Sequence, residues 1–73
     1  MKYLLIINPR AGKSLGIEKD VVGMFEKKKK KLDVVHTQRQ RHAISLAKKA
    51  VGKYDVVIAA GGDGTINEVI NGL

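Results

Sequence analysis

Three short apolar runs, each ending in a polar or glycine-bearing turn, constrain this chain more than any other feature. They are Lys2 to Ile7, Leu32 to Thr37 (Leu32, Val34, Val35) and Tyr54 to Ala60 (Val56, Val57, Ile58 and two alanines). Continuous β-branched runs of this length mark strands covered on both faces, hence parallel strands. Two segments between them have helical period. From Leu15 to Lys30 the apolar positions Ile17, Val21, Val22 and Phe25 recur at i, i+4, i+5 and i+8, with Glu18 and Asp20 early and lysines late, as a helix dipole favours. From Arg41 to Val51 the stripe is Ala43, Ile44, Leu46, Ala47, Ala50 and Val51, with Gly52 placed as a C-cap. A third helix is expected to open at Thr65, with Thr65 as N-cap and Glu68 completing a capping box. The order β-α-β-α-β-α implies right-handed crossovers and a three-layer α/β fold around a parallel sheet.

At 73 residues the chain is one small domain or a piece of one. A domain this short buries only about 60% of the surface its unfolded chain exposes. There is no cysteine, so no disulfide adds stability, which fits a reducing compartment. A three-stranded sheet leaves an open edge beside strand 3. The chain therefore reads as truncated, a piece of a larger domain, and pairing with a second copy through that edge is an expectation.

The start, Met1 to Ile7, is too short for a signal-peptide core, and Asn8-Pro9-Arg10 follows it where a cleavage site would need small residues. No segment approaches the ~20 apolar residues that span a bilayer. The reading is a cytoplasmic chain. Lys and Arg number 14 against 7 Asp and Glu, a formal charge of +7, which points to an anionic partner. Tyr3, Phe25 and Tyr54 sit in apolar contexts and form no base-stacking platform, so nucleic acid is not the expected partner. The run Lys27 to Lys31 could meet the anionic inner face of a membrane, at about 1 kcal/mol per lysine. It also fits a solvated C-terminal helix turn.

Two turns carry the chemistry. In the first, the strand ending at Ala60 runs into Gly61-Gly62-Asp63-Gly64, and a helix follows. Ligands of open α/β sheets bind beyond the carboxyl ends of strands. Glycines there let a ligand approach the backbone, and the N–H groups of the following helix favour phosphate. A carboxylate beside phosphate is repulsive without a mediator, and Mg²⁺ is the natural one, so Asp63 is the candidate metal ligand. The second turn is Asn8-Pro9-Arg10-Ala11-Gly12-Lys13-Ser14. Its end looks like a Walker A loop, but that motif requires glycine where Ile7 stands. What remains is two cations, Arg10 and Lys13, and the Asn8 amide at a strand's carboxyl end. If strands 1 and 3 are neighbours, in order 2-1-3, both turns face one crevice at the point where strand order reverses. Thr37, ending strand 2, could reach the same phosphate from the flank; Arg39, Arg41 and His42 follow it. His42 has no second His or Cys at ligand spacing, and a surface or helix-start role is expected of it.

With these residues in view, Gly61-Gly62-Asp63-Gly64-Thr65-Ile66-Asn67-Glu68-Val69-Ile70-Asn71-Gly72-Leu73 closely resembles the signature of the diacylglycerol kinase catalytic domain, a family that includes bacterial lipid kinases and sphingosine kinases. Asn8-Pro9-Arg10-Ala11-Gly12-Lys13 is similar to the family's first-strand motif, and Thr37 with His42-Ala43 to its middle motif. Arg41 departs from that motif by standing where glycine is frequent before His-Ala. The resemblance implies the first part of a NAD kinase/diacylglycerol kinase-like nucleotide-binding domain, completed in the full enzyme by a β-rich domain. It implies ATP with Mg²⁺ as cofactor and a lipid hydroxyl as acceptor. It further implies nucleotide contacts by Asn8, Arg10, Lys13 and Thr37, a phosphate loop of Gly61, Gly62, Asp63, Gly64 and Thr65, and Glu68 near the ribose. The general base and most of the lipid pocket would lie beyond the position matching Leu73, so residues 1–73 alone are expected to be inactive. NAD kinases and phosphofructokinases share a similar glycine-aspartate signature. The nucleotide lobe of such an enzyme and a basic, non-catalytic anion-binding module are the alternative readings.

Overall fold

The structure, a computed structural model, describes residues 1–39 and 41–73, and of residues 63 and 64 their place in a helix only. The elements follow in the order β1 (Tyr3–Ile7), α1 (Ser14–Lys27), β2 (Asp33–His36), α2 (His42–Ala50), β3 (Val56–Ala60) and α3 (Asp63–Gly72). Three parallel strands stand in the order β2-β1-β3. In register, Leu5 lies between Val34 of β2 and Ile58 of β3. The expected fold class and strand order hold.

The central strand organises the core. Side chains alternate across a strand, so Leu4 and Ile6 face one side and Leu5 and Ile7 the other. Leu4 and Ile6 pack with Ala43, Ala47 and Ala50 of α2 and Val69 of α3. Leu5 and Ile7 pack with Ala60, Val21 of α1, Leu32, Val34 and Ile58. The two layers differ in tightness. On the α2–α3 side the alanines bring the helices so close that a Cβ on Gly72 would stand 2.5 Å from the Ile44 carbonyl oxygen and 2.7 Å from the Ala47 Cβ. On the other side only Ser14 of α1 is fully buried.

Several boundaries differ from the sequence reading. Only β1 is buried along nearly its whole length; β2 is half-buried at its centre and exposed at Asp33 and His36, and most of β3 is half-buried, because each pairs with one neighbour only. α1 opens on Ser14 and has no acid in its first turn, so the early-acid dipole argument does not apply. Glu18 instead meets the His36 ring at 2.6 Å. Ile17, expected on the buried stripe, is exposed, as are Leu15 and Met24. α2 stops at Ala50, and Gly52 at φ +82° turns the chain just beyond the exposed Val51. α3 opens two residues before Thr65. Gly62 is its N-cap, in extended backbone, and no side chain caps the helix, so Thr65 is neither cap nor half of a capping box. The glycines let the chain enter the helix directly, and Thr65 falls in its first turn, donating its N–H to the Gly62 carbonyl at 3.0 Å.

Among the described residues, no helix is long and apolar enough to cross a membrane. The lysine run lies where the chain leaves α1, with Lys29 in left-handed backbone at φ +55°. Lys30 Nζ stands 5.9 Å from the Tyr3 ring centroid. Tyr3 opens β1, so the run sits at the amino end of the sheet, opposite the two turns.

Candidate functional site

The two turns meet. Asn8 leaves β1 and donates its N–H to the Ala60 carbonyl at 3.0 Å, which ties the end of β1 to the end of β3. On the other side, Thr37 donates its N–H to the Ile7 carbonyl at 2.8 Å. The carboxyl ends of all three strands are therefore joined by backbone hydrogen bonds. A cleft of about 350 Å³ opens above them, lined by Asn8, Arg10, Ala11, Thr37, Gln38, Arg39, Gly62, Thr65 and Glu68. That volume is within the range of small-molecule sites, ~300–1,000 Å³.

Each wall has a local cause. In the first loop, Asn8 Oδ1 accepts from the Arg10 N–H at 3.0 Å, an Asx turn that directs the chain away from the sheet. Its carbonyl accepts from the Ala11 N–H at 3.2 Å, and the Ser14 hydroxyl lies 2.5 Å from that same oxygen. In the second, Gly61 adopts φ +157°, and a Cβ there would stand 2.8 Å from both Cβ and Oγ1 of Thr65. Gly61 must lack a side chain for Thr65 to turn back over it. Thr65 is 8% exposed, and its Oγ1 accepts a long 3.4 Å bond from Asn8 Nδ2. This side-chain bond links the two loops across a sequence separation of 57.

The third wall comes from the segment after β2. Arg41 is the N-cap of α2 at φ +64°, ψ 2°, a left-handed conformation. Glycine adopts this without penalty. Its N–H donates to Glu68 Oε2 at 3.3 Å, so one oxygen of the carboxylate expected in a capping box holds the α2 entrance instead. His42 accepts the Gln38 N–H on Nδ1 at 2.9 Å, a local loop closure that agrees with its expected helix-start role.

Of the residues singled out from the sequence, the structure brings Asn8, Arg10, Thr37, Gly62, Thr65 and Glu68 to the cleft. Lys13 does not line it; it is the exposed N-cap of α1. Gly61 lies beneath Thr65 rather than on the wall. The side-chain placement of Asp63, and that of Gly64, fall outside the described residues. Arg39 and Gln38 line the cleft although sequence reasoning gave them no role. The signal for Arg39 was a cation two residues beyond a strand's carboxyl end. Arg10 and Arg39, with the uncapped N-terminal turn of α3, make the cleft suited to an anion. Among the described residues no three His, Cys, Asp or Glu side chains cluster.

The family model for the diacylglycerol kinase catalytic domain matches residues 2–73. The chain is 42% identical over 76 residues to a ceramide kinase of Oryza sativa subsp. japonica, covering 96% of this chain and 12% of that protein. It is 40% identical over 72 residues to a diacylglycerol kinase of Staphylococcus haemolyticus, covering 94% of this chain and 22% of that protein. A crystal structure of a diacylglycerol kinase from Bacillus anthracis superposes with a TM-score of 0.79 at 35% identity, covering 99% of this chain and 27% of that one. The chain thus spans a small share of the length of these relatives.

Proposed function

The chain belongs to the diacylglycerol kinase catalytic domain family, and from that premise we propose that residues 1–73 are the N-terminal, ATP-binding portion of a kinase that phosphorylates a lipid hydroxyl. The observation that carries this is the convergence of the Asn8–Ser14 loop, the segment after β2 and the α3 N-terminus on one cleft at the switch point of the sheet. Arg10 and Arg39 would grip phosphate oxygens, with Lys13 adding long-range charge from the rim. The free backbone N–H groups at the start of α3 would face the same group. Thr37 would donate its hydroxyl from the flank. Glu68 could reach a ribose hydroxyl only with the oxygen that does not hold the Arg41 N–H.

Mg²⁺ binds phosphates with one or two carboxylates and retains waters, so it needs no all-protein cage. Asp63 would be that carboxylate. The ion would supply charge neutralisation between phosphate groups, and the protein's part is positioning. In the full-length enzyme the lipid hydroxyl would attack the γ-phosphorus as the bond to ADP breaks, its proton passing to a base outside residues 1–73. The isolated piece would bind nucleotide without transferring phosphate. The lysine-rich amino end would attract the anionic inner face of a membrane, and the open edge of β3 would pair with a second copy. A monodisperse monomer in light scattering would remove that last element.

The named relatives support lipid kinases over an NAD- or sugar-phosphate-kinase reading. Binding of ATP to the 73-residue chain, followed by calorimetry, tests the proposal against a charge-only module. Specific binding should require Mg²⁺ and weaken at least tenfold in Asp63→Asn. Binding that ignores both the ion and the substitution, and falls steeply with salt, would leave only the charge-driven module.

A further inference from the structure

We infer that Ser14 is a positioning residue: its buried hydroxyl fixes the shape of the Asn8–Ser14 loop, and through it the placement of Arg10 and the Asn8 amide in the cleft. The inference rests on the nucleotide-binding reading of that cleft, but its geometry does not. Ser14 and Thr65 are the buried polar side chains among the described residues, at 2% and 8% exposure, and both lie under the same loop. Ser14 Oγ sits 2.5 Å from the carbonyl oxygens of Asn8 and of Ala11. Carbonyls only accept, so the hydroxyl must donate, and with one proton it serves both as a shared bond. The Ser14 N–H also donates to Ala11, at 2.9 Å. The residue that opens α1 is thereby stapled to the residue that leaves β1.

A serine following Gly-Lys is the residue that holds a metal in a Walker A loop. Here its hydroxyl points into the protein and is spent on backbone carbonyls. Its role is therefore transmitted through Asn8. Every polar group of Asn8 is engaged: the N–H with Ala60, the carbonyl with Ala11 and Ser14, Oδ1 with the Arg10 N–H, and Nδ2 with Thr65. Losing the Ser14 hydroxyl leaves the part-buried Asn8 carbonyl with the Ala11 N–H alone and removes the side-chain hold between the ends of the loop, freeing it to reorient about Asn8. The two loops would then keep their sequences but lose their mutual placement.

The experiment compares Ser14→Ala and Ser14→Cys with the unaltered chain. Cysteine fills the site but is a weak donor, and it carries the comparison if the alanine variant does not fold. The ligand-free readout is amide hydrogen exchange at Arg10, referenced to the core amide of Leu5. We expect Arg10 to exchange about tenfold faster in Ser14→Ala, less in Ser14→Cys, with Leu5 changed much less. The liganded readout is the Kd for Mg²⁺-ATP per folded molecule, expected to rise about tenfold in Ser14→Ala and by an intermediate factor in Ser14→Cys. A lowered Tm with unchanged Arg10 exchange would reduce Ser14 to packing and overturn the inference. If the unaltered chain binds no ATP while Arg10 exchange responds as stated, the loop-positioning role stands and the nucleotide reading fails.

Discussion

The two ends of the sheet are both basic, yet they use different cations in different ways. At the carboxyl end stand all three arginines. Arg10 and Arg39 line the cleft, and Arg41 caps α2, around buried hydroxyls and a carboxylate that accept or donate defined bonds. At the amino end stand Lys2, Lys27 to Lys31, Lys48, Lys49 and Lys53, nearly all exposed. A recess of about 550 Å³ there is lined by Lys2, Lys31 and Lys53, and its bonded partners are Tyr54 and Asp33 at 2.5 Å. Guanidinium is a planar fork suited to two-point recognition of phosphate, whereas ammonium is a hydrated point charge. The net +7 therefore combines a small set of arginines gathered at one cleft with a larger diffuse set of lysines, and charge counting alone cannot separate them.

Paired substitutions at the two ends can break this contrast. The largest difference should come from two glycines. Gly61→Ala drives a Cβ into Thr65, so overpacking should cost about 1–3 kcal/mol and ATP binding should weaken well beyond tenfold. Gly52→Ala also has positive φ but meets open space. It should lose about 1 kcal/mol to backbone strain and leave ATP affinity unchanged. Urea denaturation with calorimetric titration distinguishes them, and equal effects on binding would erase the contrast. Next comes a charge-conserving exchange. Arg10→Lys should weaken ATP about tenfold, the loss of one charge-assisted fork, while Lys53→Arg should do nothing measurable to it.

A smaller, stabilising effect is expected at Arg41. A non-glycine residue in left-handed backbone costs about 1–2 kcal/mol, partly offset in glycine by about 0.5–1 kcal/mol of chain entropy. Arg41→Gly should therefore raise stability by roughly 0.5–1 kcal/mol, visible as a Tm increase of a few degrees. The departure from the family's middle motif would then be a cost carried by this chain. The smallest effect concerns the amino end. The hydrogen bond to Asp33 is the largest cause of the raised Tyr54 pKa, above its ordinary 10.0, with burial and the Asp33 charge adding to it. A raised folded-state pKa means the contribution is complete below pH 10 and is lost as pH climbs through the folded value. The stability gap between the unaltered chain and Tyr54→Phe should stay constant to about pH 10 and shrink above it. A gap that persists into strong alkali would remove the Tyr54–Asp33 bond from the account.

The sheet and its order were legible because the strand runs are apolar without interruption and the helix stripes keep their period, both local signals. So was the convergence of Asn8, Arg10, Thr37 and Gly62, which follows once β1 lies between β2 and β3. What was not legible depends on contacts between distant segments. Glu68 matched a capping box by spacing, but its oxygen goes to the Arg41 N–H on another helix. Thr65 looked like a cap because Thr65 and Glu68 stand at the spacing of a capping box, whereas the glycines carry the chain into α3 two residues earlier. Ile17 and Leu15 kept an apolar pattern that α1 does not bury. The inward turn of the Ser14 hydroxyl could not be read from a motif whose best-known form points outward.

The pairing of β1 with β3 also has a temporal meaning. The bond from the Lys2 N–H to Asp55 spans 53 residues, and the Asn8–Thr65 contact spans 57. A chain emerging from the ribosome can join β1 to β2 early, but the seam with β3 closes only when the later residues arrive, after a long loop has been ordered. Until then Leu4 and Ile6 lack Val69, and the arginines have no opposite wall. The cleft, with Arg10 on one side and Gly62, Thr65 and Glu68 on the other, can therefore be complete only once α3 is in place.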